Sequence, residues 1–244
     1  MLNFHLLHCY PLKIKKMPDS ALTHIKASLK LLKAHYQLIL LPLLVVLSGF
    51  TINILSNGKL YISSLIATLI MVAIMPVVYG RFNELVLNKE FISWKYLLNK
   101  FLLKYLGLIL TIAAIMCIPF FFFTLLTMAS DPTYFPTIIY VFIIFFYRLV
   151  GLYSLPLLFF DNTIKQSLLL GQKCLWGNLQ YNLPLLSILV LVSLVSLPFA
   201  KSNSEFLNAM FHYIRICISY VINFIVFIAV TLILKNKIYN QQET

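Results

Sequence analysis

Apolar runs of about 20 residues, separated by short basic segments, constrain this chain more than any other feature of it. A run of that length crosses the ~30 Å hydrocarbon core of a bilayer as a helix. Inside hydrocarbon only a helix or a closed barrel satisfies every backbone N–H and C=O. A barrel would show ~10-residue segments of alternating character, and the sequence has none. With 61% hydrophobic and 11% charged residues, the chain reads as an all-α polytopic membrane protein. Six transmembrane helices are expected, over residues 38–55, 60–79, 106–128, 137–160, 183–200 and 207–234. The runs lie so close together that one integral domain is expected over 17–244, after a basic tail at 1–16. Met17 stands just before the first well-formed element, so the tail is expected to be an extension upstream of the start.

The net charge of +12 would point to nucleic acid in a soluble protein. No basic segment here is long enough to line a groove, so no nucleic-acid partner is expected. The basic residues instead report topology. Lys13, Lys15, Lys16, Lys26, Lys30, Lys33, Arg81, Lys89, Lys95, Lys100, Lys104, Lys165, Lys173, Lys235 and Lys237 fall on one side, against Lys59 and Lys201 on the other. The positive-inside rule then puts both termini in the cytoplasm. Cys117 and Cys217 lie in apolar runs, Cys9 and Cys174 on the basic side, so no structural disulfide is expected. His5, His8 and Cys9 on the tail, and the scattered His24, His35 and His212, do not make a metal set, and no metal or other cofactor is expected.

Three polar-apolar stretches precede pairs of runs. Leu22, Ile25, Leu29, Leu32 and Tyr36 recur at helical spacing after a cap at Asp19 or Ser20, with Lys26, Lys30 and Lys33 off the stripe. Phe91, Trp94, Leu98, Phe101 and Tyr105 make a second stripe, with Lys95 and Lys100 off it. Ile164, Leu168, Gly171, Leu175 and Leu179 make a third, with Lys165 and Lys173 off it, after a capping-box spacing of Thr163 and Gln166. Each stripe suits either a helix lying in the membrane interface, its lysines toward anionic headgroups, or a helix packed on its own bundle. A shift of 69 carries Ile25, Lys26, Leu29, Leu32 and Tyr36 onto Trp94, Lys95, Leu98, Phe101 and Tyr105. A shift of 139 carries Ser28 onto Ser167. A threefold internal repeat is therefore expected, with units of about 17–80, 86–160 and 161–235, each a cytoplasmic-side amphipathic helix and two spans. Lys26, Lys30, Lys33, Trp94, Lys95, Lys165 and Lys173 are its expected membrane-surface residues.

Arg148 falls near the middle of the fourth run, where arginine costs ~2.5–3.5 kcal/mol on insertion scales and needs a partner. None of the six runs contains Asp or Glu. Span six carries His212, Arg215, Ser219 and Asn223 on one helical face, and span four carries Tyr140, Tyr147 and Ser154, with Gly151 for close approach. If the two strips face each other, they line a polar crevice with two guanidinium groups and no carboxylate, suited to phosphate or carboxylate. The candidate ligand residues are thus Arg148, Arg215, Tyr147, His212, Ser219 and Asn223. In the alternative arrangement Arg215 snorkels outward toward Glu205 while Arg148 ties helices together through carbonyls. Intramembrane acid–base pairs and the motifs Gly-x-Ser-x-Gly, Walker loop and His-Glu-x-x-His are missing, so no catalytic residue is expected.

Tyr147-Arg148, Leu155-Pro156-Leu157, an acidic turn at Asp161, a helix bearing Ser167 and then Gly177-Asn178 before another span form a recognisable series. Over residues 147–190 the chain resembles the membrane domain found beside some glycerophosphodiester phosphodiesterases and its six-helix stand-alone bacterial relatives. The resemblance implies a multi-pass protein of the bacterial inner membrane; the phosphodiesterase domain has no counterpart here. The expected function is non-enzymatic, engaging lipid, a second copy or another envelope protein. The alternative is a facilitator or exporter subunit for an anionic amphiphile.

Overall fold

The computed structural model of the chain describes residues 21–55, 61–127, 135–177, 179–195 and 205–242. The basic tail, the caps at Asp19 and Ser20, and the loop residues Lys59 and Lys201 lie outside them. The described residues form eight helices and no strand: α1 (Ala21–Ala34), α2 (Gln37–Leu55), α3 (Tyr61–Leu87), α4 (Trp94–Thr127), α5 (Phe135–Phe159), α6 (Ile164–Trp176), α7 (Leu179–Val195) and α8 (Glu205–Gln242). Pro42, Pro76, Pro156 and Pro184 sit inside helices, as proline does where neighbouring helices can satisfy the freed carbonyl.

Four of the helices, α3, α4, α5 and α8, are long and apolar enough to cross a membrane unaided. The bent pairs α1–α2, at 76°, and α6–α7, at 106°, bring the number to as many as six if each counts as one crossing. The architecture is that of a multi-pass helical membrane protein. α8 is its axis, in contact with α1, α2, α3, α5 and α7. One apolar core lies among α2, α3, α4 and α8, and a second among α5, α6, α7 and α8.

Two sequence expectations are corrected. The second amphipathic stretch is not a separate surface helix, because Trp94–Thr127 is one continuous α4. Nothing between Trp94 and Leu106 breaks a helix, whereas turn residues at His35-Tyr36 and Gly177 interrupt the other two stretches. The second span does not end at Tyr79 either. α3 runs on to Leu87 and carries Glu84, 3% exposed, inside the apolar stretch Ile66–Val86. A carboxylate can stay there because Arg81, one turn earlier, donates to it at 2.9 Å. Phe91 and Trp94 roof the same guanidinium, with ring centroids 5.0 and 5.6 Å away.

One end of the bundle is tied together by polar contacts between distant segments. Lys235 Nζ donates to the Val86 carbonyl at 2.7 Å, and Asn83 Nδ2 to the Phe159 carbonyl at 3.0 Å. Lys100 bridges to Asp161 at 2.7 Å, at the turn joining α5 to α6. Asp161 itself has a φ of 66°, a conformation aspartate tolerates better than most residues. This basic end is closely packed, with Phe82, Phe159, Phe224 and Phe227 buried and in ring contact with one another or with Tyr79. Toward the other end α8 loosens, and Leu207, Phe211, Ile214 and Ile218 are exposed.

The two bent helices use their faces differently from the expected stripes. On α1 the buried residues are Ala21, His24, Ser28 and Leu32, while Leu22 and Leu29 are exposed together with Lys26, Lys30 and Lys33. On α6, Ser167, Gly171, Cys174 and Leu175 are buried. Small and polar residues face the bundle because they let backbones approach closely. Thr163 and Gln166 form the expected capping box at the start of α6. Trp94, Lys95, Lys165 and Lys173 are exposed as well.

Candidate functional site

The backbones of α4 and α8 stay apart among the described residues, although both helices pack on α3 and α5. The space left between them is a cavity of about 480 Å³. α8 supplies His212, Arg215, Ser219, Tyr220 and Asn223 to its wall; α5 supplies Tyr147, Arg148 and Gly151; α3 and α4 supply Tyr79 and Tyr105. Leu108, Ile109, Ile112 and Ile144 form its apolar side. From His212 to Phe227 the lining follows α8 for about 22 Å at ~1.5 Å per residue.

All six residues that the sequence nominates, Arg148, Arg215, Tyr147, His212, Ser219 and Asn223, meet in this cavity. Periodicity explains α8: spacings of three and four keep its polar residues on one face. On α5 the expected strip is only partly right. Ser154 is fully buried and donates to the Val150 carbonyl, with α6 pressed against it at Gly171. The Tyr140 side chain lies outside the described residues.

Arg148 donates to Ser219 Oγ at 2.7 Å and reaches Ser193 Oγ at 3.5 Å, so one guanidinium joins α5 to α8 and α7. Ser193 gives its own proton to the Leu189 carbonyl at 2.8 Å, which leaves its oxygen to accept from the arginine. Both of these contacts are to neutral hydroxyls. Arg215 Nε donates to the Phe211 carbonyl at 3.3 Å one turn back, and its side chain borders the cavity. The ring of His212 stands edge-on to Tyr213, with centroids 5.6 Å apart. No Asp or Glu is among the described lining residues; the side chain of Glu205, the alternative partner of Arg215, lies outside them.

The tyrosines are what sequence reasoning missed. Tyr79 ends the second apolar run, Tyr105 ends the second amphipathic stripe, and Tyr220 falls one position off the polar strip of α8. Only the assembled bundle shows that they share a wall with Tyr147. The signal available in the sequence was that all are amphipathic aromatics one helical turn or less from a polar residue or a span end. Gly151 was read as a place of close helix approach. The structure corrects this: a Cβ built there meets nothing within 4 Å, because the position faces the cavity.

Comparison of the chain with protein-family models, with characterised proteins and with solved structures finds no match.

Proposed function

We propose that this protein is a non-enzymatic component of a bacterial inner membrane that holds the anionic headgroup of a lipid or lipid-linked phosphate at Arg148 and Arg215. The observation that carries the reading is a cavity between α4 and α8 lined by two guanidinium groups, an imidazole, hydroxyls and an amide, with no carboxylate among the described lining residues. A cation in a dry bundle is costly unless something of opposite charge or ample hydrogen-bonding capacity meets it. A planar guanidinium presents paired donors that match phosphate oxygens. Apolar Leu108, Ile109, Ile112 and Ile144 beside that polar wall suit the hydrocarbon of an amphiphile.

The reading carries with it six membrane spans, the bent pairs α1–α2 and α6–α7 each supplying one, and both termini in the cytoplasm by the positive-inside rule. The lysine-bearing faces of α1 and α6, and the start of α4 with Trp94 and Lys95, are assigned to the cytoplasmic interface. A three-unit repeat belongs to the same proposal, its second amphipathic stretch fused to the span that follows as the start of α4, and buried Ser28 and Ser167 at equivalent places in α1 and α6 support the likeness of the first and third units. A homo-oligomer or a complex with another membrane protein is compatible with it. The length of the cavity along α8 favours a second reading, a facilitator or exporter subunit for an anionic amphiphile.

Lipids retained through mild purification, identified by mass spectrometry, test the site. Wild-type protein is expected to keep an anionic lipid that Arg148→Leu loses, with Arg148→Lys intermediate because it preserves charge but not the fork. An unchanged lipid profile in an Arg148→Leu protein that still unfolds cooperatively overturns the proposal.

A further inference from the structure

The arginine end of the cavity accounts for a negative charge but not for the groups farther along it. Tyr79 and Tyr105 are only 4% and 7% exposed, and both line the cavity. Neither hydroxyl makes a hydrogen bond among the described residues, and neither is sealed among the fully buried unsatisfied atoms. Buried phenols ordinarily find partners. Asn223, on the same wall, makes no hydrogen bond among the described residues either.

Gly151 is a second and independent sign. It sits one turn after Arg148 on the cavity face of α5, and no atom lies within 4 Å of where its Cβ would be. Packing therefore does not require glycine there, and in a helix interior glycine is disfavoured relative to alanine. What glycine does provide is bare backbone for a ligand to approach. Four residues after Leu152, Pro156 has no N–H to give the Leu152 carbonyl, so an acceptor is freed on this same stretch of cavity wall.

Resting on the reading of the cavity given above, we infer that the bound head is an extended one, a phosphate diester bearing hydroxyls beyond the phosphate, with the phosphate at Arg148 and the hydroxylated part lying over Gly151 against Tyr79 and Tyr105. A compact phosphate monoester would satisfy the arginine and leave the tyrosines, the asparagine and the bare backbone unused. Phenol and amide groups on this wall offer both donors and acceptors, which suits hydroxyl groups, since each both gives and accepts a proton.

The test uses the full chain in phosphatidylcholine nanodiscs, with phosphatidylglycerol and phosphatidic acid of matched acyl chains as probes and glycerol 3-phosphate as a soluble competitor. Tyr79→Phe/Tyr105→Phe is expected to weaken phosphatidylglycerol binding by about fivefold or more, the worth of one or two neutral hydrogen bonds, and phosphatidic acid by less than about twofold. Gly151→Ala is expected to weaken phosphatidylglycerol in the same way while thermal stability holds or rises, an outcome that lost packing cannot produce. Glycerol 3-phosphate is expected not to compete; displacement by it would overturn the lipid assignment and give the site to a soluble polyol phosphate. Equal effects of the tyrosine pair on both lipids, or no effect of Gly151→Ala on phosphatidylglycerol, overturns the extended head. If both lipids still depend on Arg148 in that case, the arginine site stands without it. If neither lipid binds above phosphatidylcholine, both ideas fall together.

Discussion

Glu84 and Arg148 show how two charges are held in one bundle by different means. Glu84 has its counter-ion one turn away on the same helix, and both side chains of the pair are almost fully enclosed. Removing one member of a buried pair leaves the other charged and unpaired, which costs about 3–5 kcal/mol. Glu84→Leu is therefore expected to lower thermal stability sharply, and Arg81→Met/Glu84→Leu to recover most of the loss; equal stabilities of the single and double variants would refute the coupling. Arg148 instead reaches serine hydroxyls on two other helices. Its pairing was not legible in the sequence, because Ser193 and Ser219 lie 45 and 71 residues away. The polar strip of α8 was legible, since it depends on nothing beyond helical periodicity.

At the scale of elements, the α5–α6 crossing is the place where backbone approach matters most. A Cβ at Gly171 would fall 2.5 Å from Ser154 Oγ, 2.9 Å from its backbone nitrogen and 3.1 Å from its Cα. A backbone atom cannot swing aside as a side-chain tip can, so Gly171→Ala must move α6 off α5. Overpacking of this kind costs about 1–3 kcal/mol, and the variant is expected to unfold at correspondingly lower temperature; an unchanged midpoint would show that the helices can slide freely. Asn182 then fixes the bend into α7. Its Oδ1 accepts from Tyr153 Oη at 2.5 Å, and its Nδ2 donates to the Leu175 carbonyl at 3.1 Å, near the open end of α6. Lys100 and Asp161, 30% and 45% exposed, form the weakest of these ties, worth about 0–1 kcal/mol.

For the molecule as a whole, the contacts of Lys235 with Val86, of Asn83 with Phe159 and of Lys100 with Asp161 gather the basic segments at one end. Cysteine substitutions at Lys95 and Lys173 are expected to label from the cytoplasm, and substitutions at Lys59 and Lys201 from the opposite side. Labelling of Lys59 and Lys95 from the same side would overturn the topology. By itself the sequence determined that the chain is helical and multi-pass, and which polar residues share a face of α8. Those facts follow from run length and periodicity, which act over a few turns of helix. The continuity of α4, the burial of Glu84 and the sharing of one wall by Tyr79, Tyr105, Tyr147 and Tyr220 were decided only by the tertiary structure. They depend on which helices pack and which stay apart, and it is the separation of the α4 and α8 backbones that makes the cavity.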